Sequence, residues 1–513
     1  MKHKIIFLIM LLSILAIGVA CSSTEPSPVA FPTETLMIEP TEVLPTPTQV
    51  IKESVVPAVL RYGTEFADWG TGDPHLAAAY QDRIVVDMIF NGLIRYEPGN
   101  APAIEPDLAE SIPNPEIVGG KQVWTFRLRK GIMCHPSPQT EKYELTADDV
   151  VYSLQKSANP NRSAYAGEYE GMTIEKVDDY TVKIIQAPPL SSILFLAKVT
   201  DYSGGFIVCK KAIEAMGDEA FKAHPVGTGP FMFESYTPGK TVTLVANEHY
   251  FRGTPLLTGV EVQFIPDEEE RVEALTSKKV DAIQISLDKE LIKNMEQQEG
   301  VVVGVHGVGE IGTIYFNTSV EPLNDLRVRQ AIAYALDREK FLDLFGKEFI
   351  GNVYSPVPSQ FLPGGLTHEE VTNLNLDYTV DLDKAKALLD EAGYPDGFSL
   401  KIISSEHHTY LKPYTSMKEQ LAQIGIDIEI EVVEHSEMHK LIREDVNPFV
   451  IYVAWRPNAD VFLTRFFHSD SIVVTGAKPD TNFSHYDQID DLIESARLET
   501  NPHTQIEQWL HDA

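Results

Sequence analysis

Two histidines and two glycine-rich segments are the first residues of this chain whose spacing suggests chemistry. His435 and His439 lie four positions apart, so a helix would place both imidazoles on one face, a spacing that can bind zinc. A zinc peptidase also needs a glutamate directly after the first histidine, and this chain has Ser436 there. The pattern favours a solvated helix face and no metal. A metal-dependent hydrolase that uses His435 and His439 stays as the alternative.

Neither glycine-rich segment has the context of a nucleotide site. Residues 307–312 match G-x-G-x-x-G, but such a loop must open a helix, and residues 313–318 instead predict a strand. Gly239-Lys240-Thr241 resembles the end of a phosphate loop, but Glu234 stands where the first glycine is required. No Ser-His-Asp or Cys-His set can be proposed from the order of residues. We therefore predict no cofactor and no enzymatic activity.

The most informative candidate site is a strand end with aromatic residues. Residues 449–455 predict a buried strand that runs into a loop and then a helix. Tyr452 and Trp455, predicted on nearly the same strand face, would offer aromatic surface to a ligand. Asn458 and Asp460 add polar groups in the loop that follows. For Trp455, packing in the core is the alternative interpretation.

These candidates belong to a chain of alternating strands and helices. Its 513 residues exceed one ordinary core, so two or three domains are expected. Residues 225–283 predict strand, turn, strand, helix and strand, opened by Gly227-Thr228-Gly229-Pro230. We expect the two glycines of this turn to adopt backbone angles closed to other residues. Thr146 predicts the N-cap of a helix with acids in its first turn.

Several segments together resemble the family 5 extracytoplasmic solute-binding proteins of ABC importers, the oligopeptide- and dipeptide-binding group. They are GTGPF at residues 227–231, NEHYFRG at 247–253, VWTFRLRKG with LTADDVVYS at 123–131 and 145–153, and PLNDLRVRQAIAYALDR at 322–338. The resemblance covers residues 57–510. It departs at Lys278, where the family has glycine, and at residues 135–144, which we interpret as a loop variant.

This resemblance implies an α/β protein with the two-lobed type II periplasmic-binding-protein fold and an additional small domain (cluster C type). It implies a first lobe formed by residues 57–95 and 175–305, a small domain at residues 96–174, and a second lobe at residues 306–513. Family members continue with a further strand that returns to the first lobe. We therefore expect lobe 2 to be truncated before that strand.

The same resemblance places the ligand site in the cleft between the lobes. In the peptide-binding members an aspartate after the tryptophan pairs with the α-ammonium of the ligand. Asn458 holds that position here and cannot neutralise an ammonium, so Asp460 is the expected substitute. For the other wall and the border of the cleft we predict Phe66, Trp69, Tyr165 and Tyr169, with packing in the core or on the surface as the alternative.

The N-terminal segment resembles a bacterial lipoprotein signal. Lys2 and Lys4 precede the apolar residues 5–17, which are too short for a permanent membrane span. We predict lipid attachment at Cys21, with ordinary signal-peptide cleavage as the alternative because Gly18 replaces the usual leucine. Residues 22–56, rich in Pro, Thr and Glu, predict a tether. The protein is expected outside the cytoplasmic membrane and anchored to it by lipid alone.

Composition and resemblance define the expected partners. The chain has 42 Lys and Arg against 75 Asp and Glu, and this net charge of −33 argues against a nucleic-acid partner. The resemblance implies a monomer that captures a peptide or other small solute and delivers it to an ABC permease with a separate ATPase. An oligosaccharide ligand, or a sensor or adhesion lipoprotein without a transport role, stays as an alternative. Cys134 and Cys209 predict either a disulfide or two buried thiols.

Overall fold

The computed structural model describes residues 58–99, 103–304, 310–347 and 349–512. The predicted signal segment, Cys21 and the tether at residues 22–56 lie outside the described residues, as do Gly307 and Gly309 of the glycine-rich segment. None of the described helices is long and apolar enough to cross a membrane.

The described residues form the strands and α-helices labelled here in chain order. The strands are β1 Val59–Thr64, β2 Ile94–Tyr96, β3 Ile104–Pro106, β4 Glu116–Val118, β5 Lys121–Arg127, β6 Met133–Cys134, β7 Tyr143–Glu144, β8 Met172–Asp178, β9 Thr181–Gln186, β10 Phe231–Thr237, β11 Thr241–Ala246, β12 Gly259–Phe264, β13 Ala282–Ile283, β14 Ile311–Phe316, β15 Phe398–Ser405, β16 Ile426–Val433 and β17 Phe449–Ala454. The helices are α1 Tyr80–Ile89, α2 Ala147–Ser157, α3 Ser192–Leu196, α4 Lys210–Met216, α5 Asp218–Ala223, α6 Glu268–Thr276, α7 Lys289–Glu296, α8 Leu326–Ala335, α9 Arg338–Phe345, α10 His368–Asn373, α11 Leu382–Glu391, α12 His408–Leu421, α13 His435–Arg443, α14 Ala459–Phe467, α15 Asp490–Leu498 and α16 Pro502–Asp512.

Lobe 1 is built on a mixed five-stranded sheet with the strand order β10-β11-β12-β1-β13. The first strand, β1, runs parallel to β12 and β13, whereas β10 and β11 form an antiparallel hairpin. Along β11 the side chains alternate, and Val242 and Leu244 are fully buried. The strands predicted within residues 225–283 are confirmed, and the helix predicted there is α6.

The small domain contains an antiparallel sheet with the order β4-β5-β9-β8. The strand β9 pairs with β5 from Thr181 to Gln186, and β8 pairs with β9. The predicted boundary at residue 174 therefore falls inside β8 and is corrected to a point after Gln186. The predicted N-cap at Thr146 is confirmed. Thr146 and Asp149 form a reciprocal capping box at the start of α2. Lobe 1 and the small domain share one continuous apolar core.

Lobe 2 contains two pairs of strands, with β14 antiparallel to β17 and β15 parallel to β16. One of its apolar cores surrounds Phe462 and Phe466, and the other surrounds Ile332 and Tyr414. Because β14 begins at Ile311, a strand and not a helix follows the glycine-rich segment, as predicted. This geometry lacks the helix N-terminus that a dinucleotide loop requires.

The glycines of the turn at residues 227–230 are required by close contact and not by backbone angle. Neither has a positive φ. A Cβ atom at Gly227 would lie 2.2 Å from the Ile89 carbonyl oxygen, and one at Gly229 would lie 2.6 Å from the Met88 carbonyl oxygen. The expected special angles are therefore wrong, because the turn packs directly on the end of α1. A positive φ of 60° occurs instead at Lys278, where the resembled family has glycine.

The choice between a disulfide and two buried thiols is settled in the region that joins lobe 1 to the small domain. Cys134 and Cys209 form a disulfide with Cα atoms 6.0 Å apart, which ties β6 to the start of α4. Beyond the disulfide, Gly217, with φ of 81°, ends α4 and separates it from α5.

Candidate binding site

Trp455 lies directly after β17 and contacts lobe 1. Its ring is 6.4 Å from the ring of Tyr202 at an angle of 61°, and Tyr202 belongs to the segment between α3 and α4. The Trp455 indole is half-buried, and its Nε1–H is enclosed with no acceptor among the described residues. A buried donor without a partner costs about 1–3 kcal/mol. The tryptophan therefore offers a donor at the junction of the two lobes.

Arg83 extends this contact into lobe 1. Its guanidinium lies 4.2 Å from the centre of the Tyr202 ring, and its Nη2 donates to the Asp87 carboxylate at 3.0 Å. Arg83 and Asp87 are four residues apart on α1, so they share one helix face. The Arg83 Nε–H is also enclosed without an acceptor among the described residues. Asp87, Arg83, Tyr202 and Trp455 together form what we call the bridging cluster.

Asp87 of the bridging cluster and Asp201, the residue before Tyr202, have raised pKa values. The Asp87 side chain is 43% exposed, yet surrounding protein raises its pKa to about 6, against the opposing effect of Arg83. Burial raises the pKa of Asp201 to about 7, although its Oδ1 accepts a hydrogen bond from the Tyr96 backbone N–H at 2.9 Å. The surrounding protein therefore disfavours the charged form of both groups.

Asn458 and Asp460, the polar residues predicted for the site, are engaged within lobe 2. Asn458 is 7% exposed and caps α14, with its Oδ1 accepting from the Val461 backbone N–H at 3.0 Å. Asp460 pairs with Arg497, whose Nε donates to the carboxylate at 3.0 Å. Burial raises the pKa of Asp460, and Arg497 opposes that shift.

Tyr452 lies in different surroundings from Trp455, so the expectation that they share a strand face is wrong. Because β17 ends at Ala454, Trp455 has already left the strand. The Tyr452 ring packs 5.2 Å from Phe483 within lobe 2, and its hydroxyl accepts from Arg443 at 3.2 Å. Tyr452 therefore contributes to the lobe 2 core, and Trp455 is the aromatic residue that meets lobe 1.

Three of the four aromatic residues predicted for the other wall are held by interior contacts. Trp69 is 6% exposed and stacks on Phe233 at 5.8 Å. The Tyr169 hydroxyl donates to the Lys198 carbonyl at 2.7 Å, and that of Tyr165 donates to the Ala77 carbonyl at 2.9 Å. These contacts favour packing inside the protein, the alternative interpretation, and ligand contact by the three residues stays a prediction.

The fourth, Phe66, contacts a ring that reaches solvent. It lies 5.8 Å from Tyr80, which is 57% exposed at the start of α1. Burial raises the pKa of Tyr80, with smaller contributions from Glu65 of lobe 1 and Glu310 of lobe 2. Phe66 therefore packs against an exposed ring, and ligand contact by Phe66 stays a prediction.

The two histidines weighed as metal ligands do lie on a helix, α13. The ring of His435 is 4.1 Å from that of His407 and parallel to it, and 4.6 Å from that of His439. The His435 Nδ1 forms a hydrogen bond with the Ser405 hydroxyl at 3.0 Å. Within the described part of the chain, no three His, Cys, Asp or Glu side chains come together as metal ligands. Burial and the neighbouring cations lower the pKa of His439 to about 4.

Comparison with protein families gives a direct assignment. Residues 103–472 match the model of "Bacterial extracellular solute-binding proteins, family 5 Middle". The chain belongs to this family of extracellular solute-binding proteins. Heme-binding protein A of Haemophilus influenzae is 30% identical to it over 329 residues, which span 60% of this chain and 57% of that protein. Di/tripeptide-binding protein 2 of Pseudomonas aeruginosa is 28% identical over 450 residues, covering 80% of this chain and 79% of that protein.

Solved structures agree with this assignment. MoaA, a periplasmic binding protein of A. tumefaciens R10 solved with mannopinic acid, is 35% identical and has a TM-score of 0.71. The match covers 89% of this chain and 90% of that one. The predicted two-lobed type II fold of this solute-binding protein is confirmed.

Sequence reasoning missed the lobe 1 half of the bridging cluster. Arg83 and Asp87 carry a recognisable signal, because oppositely charged residues four positions apart on a helix face each other. Nothing local to Tyr202 indicates a contact with Trp455, since the two residues belong to different lobes of this solute-binding protein. The local pattern around Trp455 predicted only the part of the bridging cluster that lies in lobe 2.

Proposed function

We propose that this chain captures a peptide-like solute between its two lobes and delivers it to the permease of an ABC importer. The observation that carries the proposal is the bridging cluster. Trp455 of lobe 2 meets Tyr202 of lobe 1, and hydrogen-bond donors on both sides of this contact lack acceptors among the described residues. Peptides supply carbonyl and carboxylate acceptors along their length, so a peptide-like solute would satisfy such donors.

The relatives support a solute with amino-acid character. Two of them are named for binding di- and tripeptides or dipeptides, and a third was solved with mannopinic acid. Aromatic rings at the lobe junction suit a ligand with apolar surface, and Arg83 suits an anionic group. We propose a binding role without a chemical step, because the cluster combines recognition groups with no activated nucleophile.

Delivery requires that the protein stay near its permease. We propose that lipid at Cys21 anchors a monomer to the outer face of the cytoplasmic membrane and that residues 22–56 hold the lobes away from the bilayer. A Cys21→Ala variant should then move from the membrane fraction to the soluble fraction of the cell. Retention of this variant in the membrane fraction would contradict the lipid anchor.

Native mass spectrometry of the purified full-length chain tests the ligand class. The native mass is compared with the denatured mass, and the excess is assigned by fragmentation. We expect a set of masses that fit short peptides or amino-acid derivatives. An excess spaced by hexose units would contradict the proposal and favour the oligosaccharide alternative, in which Trp455 would stack on a sugar face.

A sensor without a transport role makes a different prediction. If the chain serves an importer, deleting its gene should abolish uptake of the labelled solute found by mass spectrometry, and a Cys21→Ala chain should restore uptake poorly. Unchanged uptake in the deletion strain would contradict delivery to a permease while leaving solute binding intact.

A further inference from the structure

Asp201 is a carboxylate of lobe 1 without a cation partner among the described residues. Its Oδ1 accepts a hydrogen bond from the Tyr96 backbone N–H at 2.9 Å. No ion pair or second hydrogen bond to this carboxylate occurs in the described part of the chain, and the side chain is half-buried. A carboxylate that is partly removed from water interacts more strongly with an opposite charge than one on the surface. Asp201 is therefore a desolvated anion that the described residues do not neutralise.

The guanidinium groups on this side of lobe 1 are already paired with other carboxylates. The pairs are Arg95 with Glu105 at 2.6 Å, Arg83 with Asp87 at 3.0 Å, and Arg252 with Asp107 at 2.8 Å. Arg95 favours the charged form of Asp201, whereas Asp107 and Asp87 act against it. Removing such a carboxylate from water is compensated only when a cation pairs with it. The described residues leave that place to a cation from outside the chain.

Asp201 lies in the segment through which lobe 1 contacts lobe 2. The next residue, Tyr202, places its ring 6.4 Å from the Trp455 ring, and Leu194 of α3 is buried in a lobe 2 core. Burial raises the pKa of Tyr96 to about 12, and Tyr202 and Asp201 add to that shift because they lie close to the phenol. Aromatic faces attract an ammonium group through their quadrupole. The groups around Asp201 therefore suit a cation at the lobe junction.

We infer that the Asp201 carboxylate binds the ammonium group of the solute captured between the lobes. The inference rests on the proposed function, because it names a chemical group of that solute. An ammonium can donate to the second oxygen of Asp201 while Oδ1 keeps its hydrogen bond to the Tyr96 backbone, which gives a charge-assisted hydrogen bond. Peptides with a free N-terminus and amino-acid derivatives with a primary or secondary amine belong to this class of solute.

A peptide-sized solute can contact Asp201 and lobe 2 with different groups. Three extended residues span about 10 Å, so the group that meets Trp455 need not be the ammonium. The Trp455 Nε1–H is enclosed without an acceptor in the described part of the chain, and a peptide carbonyl supplies one. In lobe 2, Asp460, the substitute expected from the sequence, is paired with Arg497. The inference thus moves ammonium recognition from lobe 2 to lobe 1.

Free and N-acetyl tripeptides test the inference on the full-length chain and on its Asp201→Asn variant. Tripeptide mixtures are screened by native mass spectrometry, and the selected sequences are measured by calorimetry at pH 7. Acetylation should weaken binding to the original chain at least about ten-fold and binding to Asp201→Asn less than about three-fold. An equal loss in both chains, or no loss in the original chain, would overturn the inference and leave the proposed function standing. If no tripeptide binds to the original chain, the proposed function fails, and the inference fails with it.

Two controls separate ligand contact from a change in overall charge or in folding. Asp343→Asn removes the same charge from a 64% exposed position on α9, so it should keep the ten-fold difference, and loss of that difference would contradict the assignment to Asp201. Asp201→Asn keeps an acceptor for the Tyr96 N–H and removes a desolvated charge, so the ligand-free variant should unfold at the same temperature as the original chain or at a higher one. A clear fall in its thermal midpoint would show that the protein itself satisfies the carboxylate, against the inference.

The pH dependence of affinity is a readout that a purely structural role would not change. Burial raises the pKa of Asp201 to about 7, with additions from Asp107 and Asp87, while the Tyr96 N–H and Arg95 oppose the shift. A peptide keeps its ammonium and its carboxylate between pH 7 and pH 5.5, so free peptides should bind about ten-fold more weakly at the lower pH because Asp201 is then protonated. The fall should be shallower in Asp201→Asn, in which Asp87 still titrates. Parallel pH curves for the two chains would overturn the inference.

Discussion

Lobe 1 meets the small domain and lobe 2 through interfaces of different chemistry. Toward the small domain, the ammonium of Lys156 contacts both Asp73 oxygens at 2.8 Å, and both side chains are 1% exposed. The same ammonium lies 3.3 Å from the His75 Nδ1. The Cys134–Cys209 disulfide and a continuous apolar core complete this interface.

Toward lobe 2 the described contacts include a ring contact, a partly exposed ion pair and unpaired donors. The Tyr202–Trp455 ring contact leaves neighbouring donors without acceptors. The ion pair between Lys412 and Asp288, at 3.1 Å, is partly exposed. Leu194 of α3 is buried in a lobe 2 core, while its neighbour Phe195 is buried in the core of lobe 1. We therefore expect the interface between lobe 1 and the small domain to be the more rigid of the two, and the junction with lobe 2 to be completed by a ligand.

Of the changes considered, removal of the buried Lys156 ammonium at the interface with the small domain should lower the free energy of unfolding most. Lys156→Met leaves the Asp73 carboxylate buried without a cation, which should lower the free energy of unfolding by about 3–5 kcal/mol. Urea unfolding measures this loss. The matched control is Lys222→Ala, which removes a surface pair with Glu219 and should change stability little. A loss no larger than that of the control would contradict a stabilising role for the buried pair.

Removal of the disulfide should cause the second-largest loss in the free energy of unfolding. Its cysteines are separated by 75 residues, so the double variant Cys134→Ala/Cys209→Ala frees a long loop in the unfolded chain and should lose about 2–4 kcal/mol. Ligand affinity should hardly change, because neither cysteine belongs to the bridging cluster. Calorimetry measures the ligand affinity of the same variant. An affinity that fell in proportion to stability would contradict the separation of the small-domain interface from the lobe junction.

The pH dependence of unfolding tests a further buried group of the small domain, His135. His135 of the small domain is fully buried, its Nε2–H donates to the Gly229 carbonyl at 3.0 Å, and burial lowers its pKa to about 4. Between the unfolded value of about 6.5 and pH 4 the unfolded chain binds more protons, so stability is full above about pH 6.5 and falls as the pH drops. The loss assigned to His135 should be about 1–3 kcal/mol.

Replacing the histidine separates its contribution from those of other groups. His135→Gln keeps a donor for the Gly229 carbonyl and cannot titrate, so the fall in stability below pH 6.5 should become shallower. The unfolding free energy is measured from pH 7.5 to pH 4 for both chains. Parallel curves for the two chains would show that His135 does not carry the expected dependence.

The ion pair between the lobes should have the smallest effect. Lys412 and Asp288 are 27% and 31% exposed, so Lys412→Ala should lower the free energy of unfolding by less than about 1 kcal/mol, and less still in high salt. Urea unfolding at two salt concentrations measures it. A loss of stability as large as that of Lys156→Met would contradict the difference between the interface with the small domain and the interface with lobe 2.

Local patterns predicted the elements better than the contacts between them. Alternation identified β10 to β12, and Thr146 identified the start of α2, because these signals lie within a few residues. The place of Trp455 at a strand end was predicted in the same way. Its partner Tyr202 was not, because the contact joins residues that are distant in sequence.

Other predictions were ambiguous because the same residue type can be required for two different physical reasons. Gly227 permits unusual angles, but here it permits close packing on α1. Asn458, predicted at the position of a ligand-binding aspartate, uses its Oδ1 to cap α14, and its contact with a ligand stays a prediction. The small-domain boundary failed because β8 and β9 find their partner in β5, a pairing that no local pattern specifies.

Hydrogen exchange on the full-length chain, with and without the solute identified by mass spectrometry, tests the central claim most directly. Amides in residues 199–205 and 453–460 should gain protection when the solute binds, because the lobe junction is then completed. Amides in residues 150–157 and 206–212, at the interface with the small domain, should be equally protected in both samples. Equal changes in the two regions, or no change at the junction under saturating solute, would contradict the account.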